Sequence, residues 1–179
     1  MKVLLSADRL QEGVDRLAGE IRENYAGEPL TIIGVLTGSL VLLADLIRRL
    51  DMPLRLGLVQ ASSYRGRATS PGSLVIRSDM LPDVEGRHLL VVDDIFDTGR
   101  TLLEVVAQLD ELQPASIRTA VLLRKRGRTE VAIEPHFVAF EIPDQFVVGY
   151  GLDYNDLYRN LPYVAALEPG DLGGEEPRA

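Results

Sequence analysis

The chain contains no cysteine. That excludes disulfides, cysteine metal sites and a thiol nucleophile, and it fits a reducing compartment such as the cytoplasm. Aromatic residues are scarce, at 6% against an apolar content of 46%, a balance typical of a water-soluble globular fold. No apolar run approaches the length needed to cross a bilayer. The opening MKVLLSADRL has one lysine and too short an apolar stretch for a secretory signal. Basic charge is also in deficit. Nineteen Lys and Arg stand against 27 Asp and Glu, giving −8 at pH 7. Such a field disfavours general binding to nucleic acid or anionic membranes. Any polyphosphate ligand must then be held locally, by backbone dipoles, a few cations and metal. The 179 residues fit one domain with a real core.

What is present centres on His88–Thr101, HLLVVDDIFDTGRT. The run Leu89–Val92 has the character of a strand buried on both faces of a parallel sheet. The chain then turns acidic at Asp93, Asp94 and Asp97 and enters Thr98-Gly99-Arg100-Thr101. From Leu102 onward, apolar residues at 102, 105, 106, 109 and 112 fall at helical spacing and stop before Pro114. The pattern is strand, acidic glycine-containing turn, helix. Open α/β sheets bind ligands at that kind of junction. Amides at a helix start lack intrahelical partners and, with the helix dipole, favour a phosphate. Gly99 permits close approach of the backbone, and Thr98 and Thr101 add hydroxyl donors. Three carboxylates would repel such an anion unless they accept from sugar hydroxyls or work with a cation. Mg²⁺ suits that second role, because it binds through few carboxylates together with substrate phosphates. A phosphorylated sugar meets both demands. An isolated DTG would be only a helix cap, and a DD pair after a strand also occurs in phospho-acceptor receiver domains.

Elsewhere, Val3–Leu5 reads as a short strand. Ser6 caps a helix whose inner face is Leu10, Val14, Leu17 and Ile21, running to about Tyr25 and stopped by Gly27. Leu30–Leu36 is a buried strand, Thr37-Gly38-Ser39 a tight turn, and Leu40–Leu50 a helix with Leu43, Ala44, Ile47 and Leu50 inward. Leu54–Ala61 is a strand leading to Ser62-Ser63-Tyr64. Residues 65–73 are rich in Gly, Pro and Ser and carry two arginines, the composition of a long loop or a lid that excludes water. Ser73–Ser78 returns as a strand. Ser116–Leu123 is another buried strand, with the basic cluster Arg124-Lys125-Arg126-Gly127-Arg128 at its carboxyl end. There, one inward lysine is a candidate donor to a substrate carbonyl. Phe137–Ile142, the Phe146–Tyr150 stretch and Tyr163–Leu167 are further β-prone segments. The tail Glu168–Ala179 has a disorder-prone composition.

VVDDIFDTGRT resembles the 5-phosphoribosyl-1-pyrophosphate (PRPP) motif of the type I phosphoribosyltransferases. Residues 137–163, FVAFEIPDQFVVGYGLDYNDLYRNLPY, resemble the C-terminal signature of the hypoxanthine-guanine phosphoribosyltransferases, and VLTGSLVLLADLIR and LLRKR fall at matching places. The likeness covers roughly residues 30–166. It implies an α/β fold with a mainly parallel central sheet flanked by helices, and a small hood subdomain contributed mainly by residues 137–167. Residues 1–167 then form one domain and 168–179 a disordered tail. The implied reaction is purine salvage: transfer of the 5-phosphoribosyl group of PRPP to N9 of hypoxanthine or guanine, giving IMP or GMP and pyrophosphate, with Mg²⁺. A cytoplasmic homo-oligomer, dimer or tetramer, is implied as well, with no nucleic-acid or membrane partner.

The same likeness distributes roles. Asp93 and Asp94 would hold the ribose hydroxyls with help from Mg²⁺, and Asp97, Thr98, Gly99, Arg100 and Thr101 would cradle the 5′-phosphate. Asp97 would also face N7 of the purine as general base or hydrogen-bond partner. Lys125 would donate to the 6-oxo group and so reject adenine. Phe146 would stack on the base, with the Val147 backbone at its Watson–Crick edge. Asp153 would meet the exocyclic position through its backbone and Mg²⁺ through its carboxylate. Arg159 would contact pyrophosphate, Thr37 and Gly38 would form the pyrophosphate loop, often with a non-proline cis peptide, and Ser63 and Tyr64 would belong to the lid. Thr37 departs from the pattern, since many members have Lys or Arg there. A rival on the same fold is an RNA-binding pyrimidine-operon regulator, which typically has Tyr where Asp97 stands and lacks the FEIPDQFVVGYGLDY segment.

Overall fold

A computed structural model of the chain describes residues 1–63, 74–168 and 170–171. In order, the elements are β1 (Lys2–Leu5), α1 (Ala7–Asn24), β2 (Leu30–Leu36), α2 (Leu40–Ile47), β3 (Arg55–Ser63), β4 (Leu74–Met80), β5 (His88–Phe96), α3 (Arg100–Asp110), β6 (Ser116–Lys125), β7 (Phe137–Ile142), β8 (Val147–Val148) and β9 (Val164–Ala166).

Six strands form the large sheet in the order β4-β3-β2-β5-β6-β7, parallel except for the antiparallel edge strand β4. β2 and β5 are apolar at nearly every position because both of their faces are covered. Ile32, Leu90 and Val92 point into a core shared with Leu10, Leu17 and Ile21 of α1 and Leu42, Leu43 and Leu46 of α2. Their neighbours Ile33, Val35, Leu89 and Val91 point the other way, against Leu102, Val105 and Leu109 of α3. The chain runs outward in opposite directions from β2 and β5, so the gap between their carboxyl ends is the topological switch point, where ligands bind in such sheets.

Helix α1 follows from an apolar stripe and the Ser6 cap, whose hydroxyl accepts from the Arg9 amide at 3.4 Å. Helix α2 is shorter than its sequence suggests. It ends at Ile47, and its buried residues are Leu42, Leu43 and Leu46, while Ala44 is exposed. Leu112 is likewise exposed, because α3 stops at Asp110 and no longer carries it inward.

A second, antiparallel sheet has the order β1-β9-β8, pairing Lys2 with Ala166 and Val147 with Ala166 on either side of β9. Its inner residues Leu5, Val147, Val164 and Ala166 join the α1/α2 core. The boundary expected for this piece needs correction. Phe137–Ile142 is not part of it but forms the β7 edge of the large sheet, paired in parallel with β6. The carboxyl end also departs from a free tail at its start, since Glu168 and Asp171 bind the Met1 ammonium at 3.1 and 2.8 Å. Residues 172–179 lie outside the described set, as do Tyr64 and the 65–73 loop. Among the described residues no helix is long and apolar enough to cross a membrane.

Candidate active site

Of the three acidic residues, only Asp97 stands in the turn. Asp93, Asp94 and Ile95 continue β5, with Asp93 opposite Val121 and Ile95 opposite Leu123 of β6. The strand therefore carries its two carboxylates, still in register, to the carboxyl edge of the sheet. The Asp94 amide donates to Asp93 Oδ1 at 2.9 Å, and the Ile95 amide to Asp94 Oδ1 at 2.7 Å. Asp93 is only 8% exposed. Burial, and then the negative charge of Asp94, holds its carboxyl well above the usual carboxylate range. Burial raises Asp94 too, partly offset by hydrogen bonds and by the charge of Arg159.

Opposite Asp94 sits the turn that leaves β2. Its Leu36–Thr37 peptide is cis, and Thr37 is exposed. Gly38 follows because nothing larger fits: a Cβ there would lie 1.7 Å from Asp94 Oδ2. After β5, Asp97-Thr98-Gly99 turns into α3. Gly99 has φ +85° and is wedged against Phe96 and Val131. The N-cap residue Gly99 offers no side chain, the Arg100 amide reaches Thr98 Oγ1 only at 3.5 Å, and the first amide with a full helical bond is that of Leu103, to Gly99 O at 3.0 Å. The preceding amides are the anion-seeking groups of a helix start. Thr98, Gly99 and Thr101 line a cleft of about 300 Å³ with Thr37, Gly38, Asp93, Asp94, Asp153 and Arg159.

A second cleft of about 190 Å³ opens beside it, lined by Asp94, Asp97, Lys125, Phe146, Val147, Leu152 and Asp153. Lys125 is the last residue of β6 rather than part of a loop, and its side chain is only 10% exposed. Its Nζ lies 3.0 Å from Asp97 Oδ2 and 3.6 Å from Asp144 Oδ1. The other Asp97 oxygen accepts from Arg128 Nε at 2.9 Å, and Arg128 stands 3.7 Å from Asp144. Partial burial alone would push Asp97 up. The hydrogen bonds from Arg128 and Lys125 outweigh it and hold the carboxyl below its usual range. Phe146 is 48% exposed, unusual for so large an apolar ring, and meets Tyr154 edge-on with centroids 5.6 Å apart. The buried pair Val147 and Leu152 also lines this cleft.

Asp153 belongs to both clefts. Its Oδ1 is 2.8 Å from Arg159 Nη2 and its Oδ2 accepts from the Asp156 amide at 2.9 Å. Arg159 Nη1 donates to Gly151 O at 2.8 Å. The loop holding these residues has positive φ at Gly149, Tyr150, Gly151, Asn155, Asp156 and Tyr158, a concentration of disfavoured backbone typical of a functional site.

Of the residues singled out by sequence, Thr37, Gly38, Asp93, Asp94, Asp97, Thr98, Gly99, Thr101, Lys125, Phe146, Val147, Asp153 and Arg159 line the two adjoining clefts. Arg100 does not. Its exposed guanidinium turns to Glu130 at 2.7 Å, leaving only its backbone near the turn. Ser63 closes β3, and Tyr64 lies outside the described residues. Arg128, Asp144 and Leu152 were missed. Arg128 was in view as one of five residues of a basic cluster, but nothing local singled it out. Gly127 at φ +71° turns the chain immediately before it.

Comparison with known proteins gives concordant matches. A family model described as "Phosphoribosyl transferase domain" matches residues 4–155. A hypoxanthine-guanine phosphoribosyltransferase of Streptococcus pneumoniae is 40% identical over 167 residues, covering 93% of this chain and 93% of its own. Its Staphylococcus aureus counterpart is 39% identical, covering 94% of each. Among solved structures, a Staphylococcus aureus hypoxanthine phosphoribosyltransferase superimposes with a TM-score of 0.88 at 38% identity, over 95% of this chain and 92% of that one. A mutant Trypanosoma cruzi hypoxanthine phosphoribosyltransferase in a ternary substrates complex gives a TM-score of 0.88 at 36% identity, over 96% and 97%.

Proposed function

The chain belongs to the phosphoribosyltransferase family, and from that membership we propose that it is a purine-salvage enzyme of the hypoxanthine-guanine type. It transfers the 5-phosphoribosyl group of PRPP to N9 of hypoxanthine or guanine and releases pyrophosphate. The observation that carries this reading is the meeting of two unlike clefts at Asp94, Asp97 and Asp153. One is polar and faced by a helix start, and the other is lined by an exposed ring and a buried ammonium.

In the polar cleft, the amides and hydroxyls of Thr98–Thr101 take the 5′-phosphate, and Asp93 and Asp94 accept from the ribose hydroxyls. Thr37, Gly38 and Arg159 take the pyrophosphate. The slot takes the base: Phe146 stacks on it, Val147 meets its edge through the backbone, and Lys125 donates to the 6-oxo oxygen. An amino group at that position would leave the Lys125 donor opposed by another donor, which is how a polar site rejects adenine. Asp97 faces the ring N–H and accepts its proton, or hydrogen-bonds it, as N9 attacks. The ribosyl centre becomes electron-poor as pyrophosphate departs, so water must be kept out.

The residues fit Mg²⁺. Two adjacent buried carboxylates, both pushed up by burial and Asp93 also by the negative charge of Asp94, are a site where a cation offsets charge that the fold leaves uncompensated. Among the described residues no three acidic or histidine side chains gather into a ready-made metal cluster, so Asp93 and Asp94 would hold it chiefly through substrate oxygens, with Asp153 reached across the cleft. When bound, it supplies charge neutralisation of the departing pyrophosphate. The same reading treats residues 1–167 as one domain, with the small sheet from Val147 onward and β1 as its hood. It places the protein in the cytoplasm as a homo-oligomer.

The test is a panel of hypoxanthine, guanine, xanthine, adenine and uracil with PRPP and Mg²⁺, following nucleotide formation. Turnover of hypoxanthine or guanine with adenine and uracil inert is expected. Turnover of uracil alone, or of nothing, would discard the reading and turn attention to leader-RNA binding, with the salt dependence that phosphate neutralisation imposes.

A further inference from the structure

The two halves of the site are carried by different parts of the chain, and one side chain joins them away from either cleft. Tyr150 is 4% exposed and held at φ +51°, between Gly149 at +96° and Gly151 at +103°. A non-glycine residue in that conformation is disfavoured and needs a compensating contact. Its amide donates to Leu161 O at 2.8 Å within the loop, and its phenol donates to Asp45 Oδ2 on α2, the contact that leaves the loop. Asp45 also accepts from Gln11 Nε2 of α1 at 3.4 Å and from Arg48. Burial would raise the Asp45 carboxyl, but these hydrogen bonds, that of Tyr150 foremost, keep it ionised as an acceptor.

Helix α2 is the element that starts directly after the Thr37-Gly38 turn. Next to Tyr150, Gly151 lies so close to that turn that a Cβ would sit 2.1 Å from Gly38 O. Its own carbonyl accepts from Arg159, the cation of the polar cleft. One residue further, Leu152 and then Asp153 line the base slot. The loop thus touches the pyrophosphate turn through Gly151 and the base slot through Leu152. The bond from Tyr150 to Asp45 fixes the loop to the helix that sets the turn.

We propose that Tyr150 and Asp45 are positioning residues that couple the pyrophosphate half of the site to the nucleoside half, so that occupation of one tightens the other. The inference rests on the proposed function, because that reading assigns ligands to the two clefts.

The experiment is calorimetric titration of IMP into the full chain, with and without saturating methylenediphosphonate and Mg²⁺; this pyrophosphate analogue cannot be transferred. The wild type should bind IMP more tightly in its presence, by a factor within the roughly 5–150-fold range of ordinary site coupling. Tyr150→Phe should bind IMP alone within about twofold of wild type, while its coupling factor falls at least fivefold or to unity. Asp45→Asn keeps an oxygen that accepts from the phenol and should retain most of the coupling. If Tyr150→Phe lowers the melting temperature but leaves the coupling factor unchanged, the bond is only structural and the proposal fails. It fails too if the wild type binds both ligands without coupling. A wild type that binds neither IMP nor methylenediphosphonate would instead refute the assignment of function.

Discussion

Replacing Gly151 by Ala tests the architecture of the site with a single methyl group. Two costs add. At φ +103° an L-residue occupies a disfavoured region, at about 1–3 kcal/mol. The new Cβ also stands 2.1 Å from Gly38 O where ordinary contact begins at 3.4 Å, and forced overpacking of this kind costs about 1–3 kcal/mol. The sum is roughly 2–6 kcal/mol. For a chain of this size, each kcal/mol moves the melting temperature by about 2–4 °C, so a drop of roughly 4–24 °C is expected. The relief must come from moving the Thr37-Gly38 turn or the Asp153 loop. A displacement of about 1 Å in a positioning element costs about 100-fold in rate, which should appear in kcat/KM for PRPP. Gly19→Ala is the internal control. Gly19 lies inside α1 with nothing within 4 Å of a new Cβ, so the same methyl should raise stability by about 0.5–1 kcal/mol with kinetics unchanged. The assays are thermal unfolding and initial rates at varied PRPP. A Gly151→Ala protein within 2 °C and twofold of wild type would refute the reasoning about the contact between the two loops.

Three further substitutions address the chemistry. Lys125→Met removes the donor proposed for the 6-oxo group; a hydrogen bond to a charged group is worth about 1.5–3 kcal/mol. Hypoxanthine kcat/KM should therefore fall roughly 10- to 150-fold, and discrimination against adenine should shrink by a similar factor; unchanged discrimination would remove Lys125 from base recognition. Asp93→Asn should stabilise the ligand-free protein while abolishing turnover. Asp93 has a folded-state pKa raised above the unfolded value of about 3.9, so its protonation favours the fold at low pH and that contribution is lost as pH rises through the raised value. The melting-temperature gain of the Asn variant should accordingly be largest above that raised value and vanish toward pH 4, and a gain that grows on acidification would contradict the assignment. Thr37→Lys places a cation in the pyrophosphate turn and should lower KM for PRPP by several-fold, since an added charge-assisted contact contributes about 1 kcal/mol or more; a KM unchanged or raised would show that the backbone and Thr hydroxyl already suffice.

How much of this was legible in the sequence follows from the range of each interaction. β2 and the first half of β5 were readable because two-sided burial makes Ile32–Leu36 and Leu89–Val92 runs without a charged or strongly polar residue. The end of β5 was not. Charge at Asp93 and Asp94 reads as loop, whereas a parallel ladder needs only backbone groups and carries its register past them to Phe96. β8 and β9 have two and three residues, and they persist through pairing with each other and with the amino terminus, a contact that no local pattern encodes. The Phe137–Ile142 segment was visible as a strand, but its membership of the large sheet depends on β6. Individual site residues were legible where a motif places them. The grip of Arg128 on Asp97 spans 31 residues and required the three-dimensional structure.

The site also resolves how an acidic protein can hold a polyanion. Around the two clefts stand the carboxylates Asp93, Asp94, Asp97, Asp144, Asp153 and Asp156, and the cations Lys125, Arg128 and Arg159. Each of those cations already serves a carboxylate: Lys125 and Arg128 hold Asp97, and Arg159 holds Asp153. Side-chain charge at the site is therefore negative, as it is over the whole chain. Pyrophosphate recruits Arg159 only in competition with Asp153, which already holds that guanidinium at 2.8 Å, so the net gain from the arginine is small. What remains is uncharged or external: the helix-start amides before Leu103, the hydroxyls of Thr37, Thr98 and Thr101, and a cation entering with the substrate to relieve Asp93 and Asp94. Burial pushes both carboxyls of that acidic pair up, so their charged forms are disfavoured until a cation enters. PRPP affinity in this protein should therefore depend on divalent cation far more steeply than on the removal of any one basic side chain.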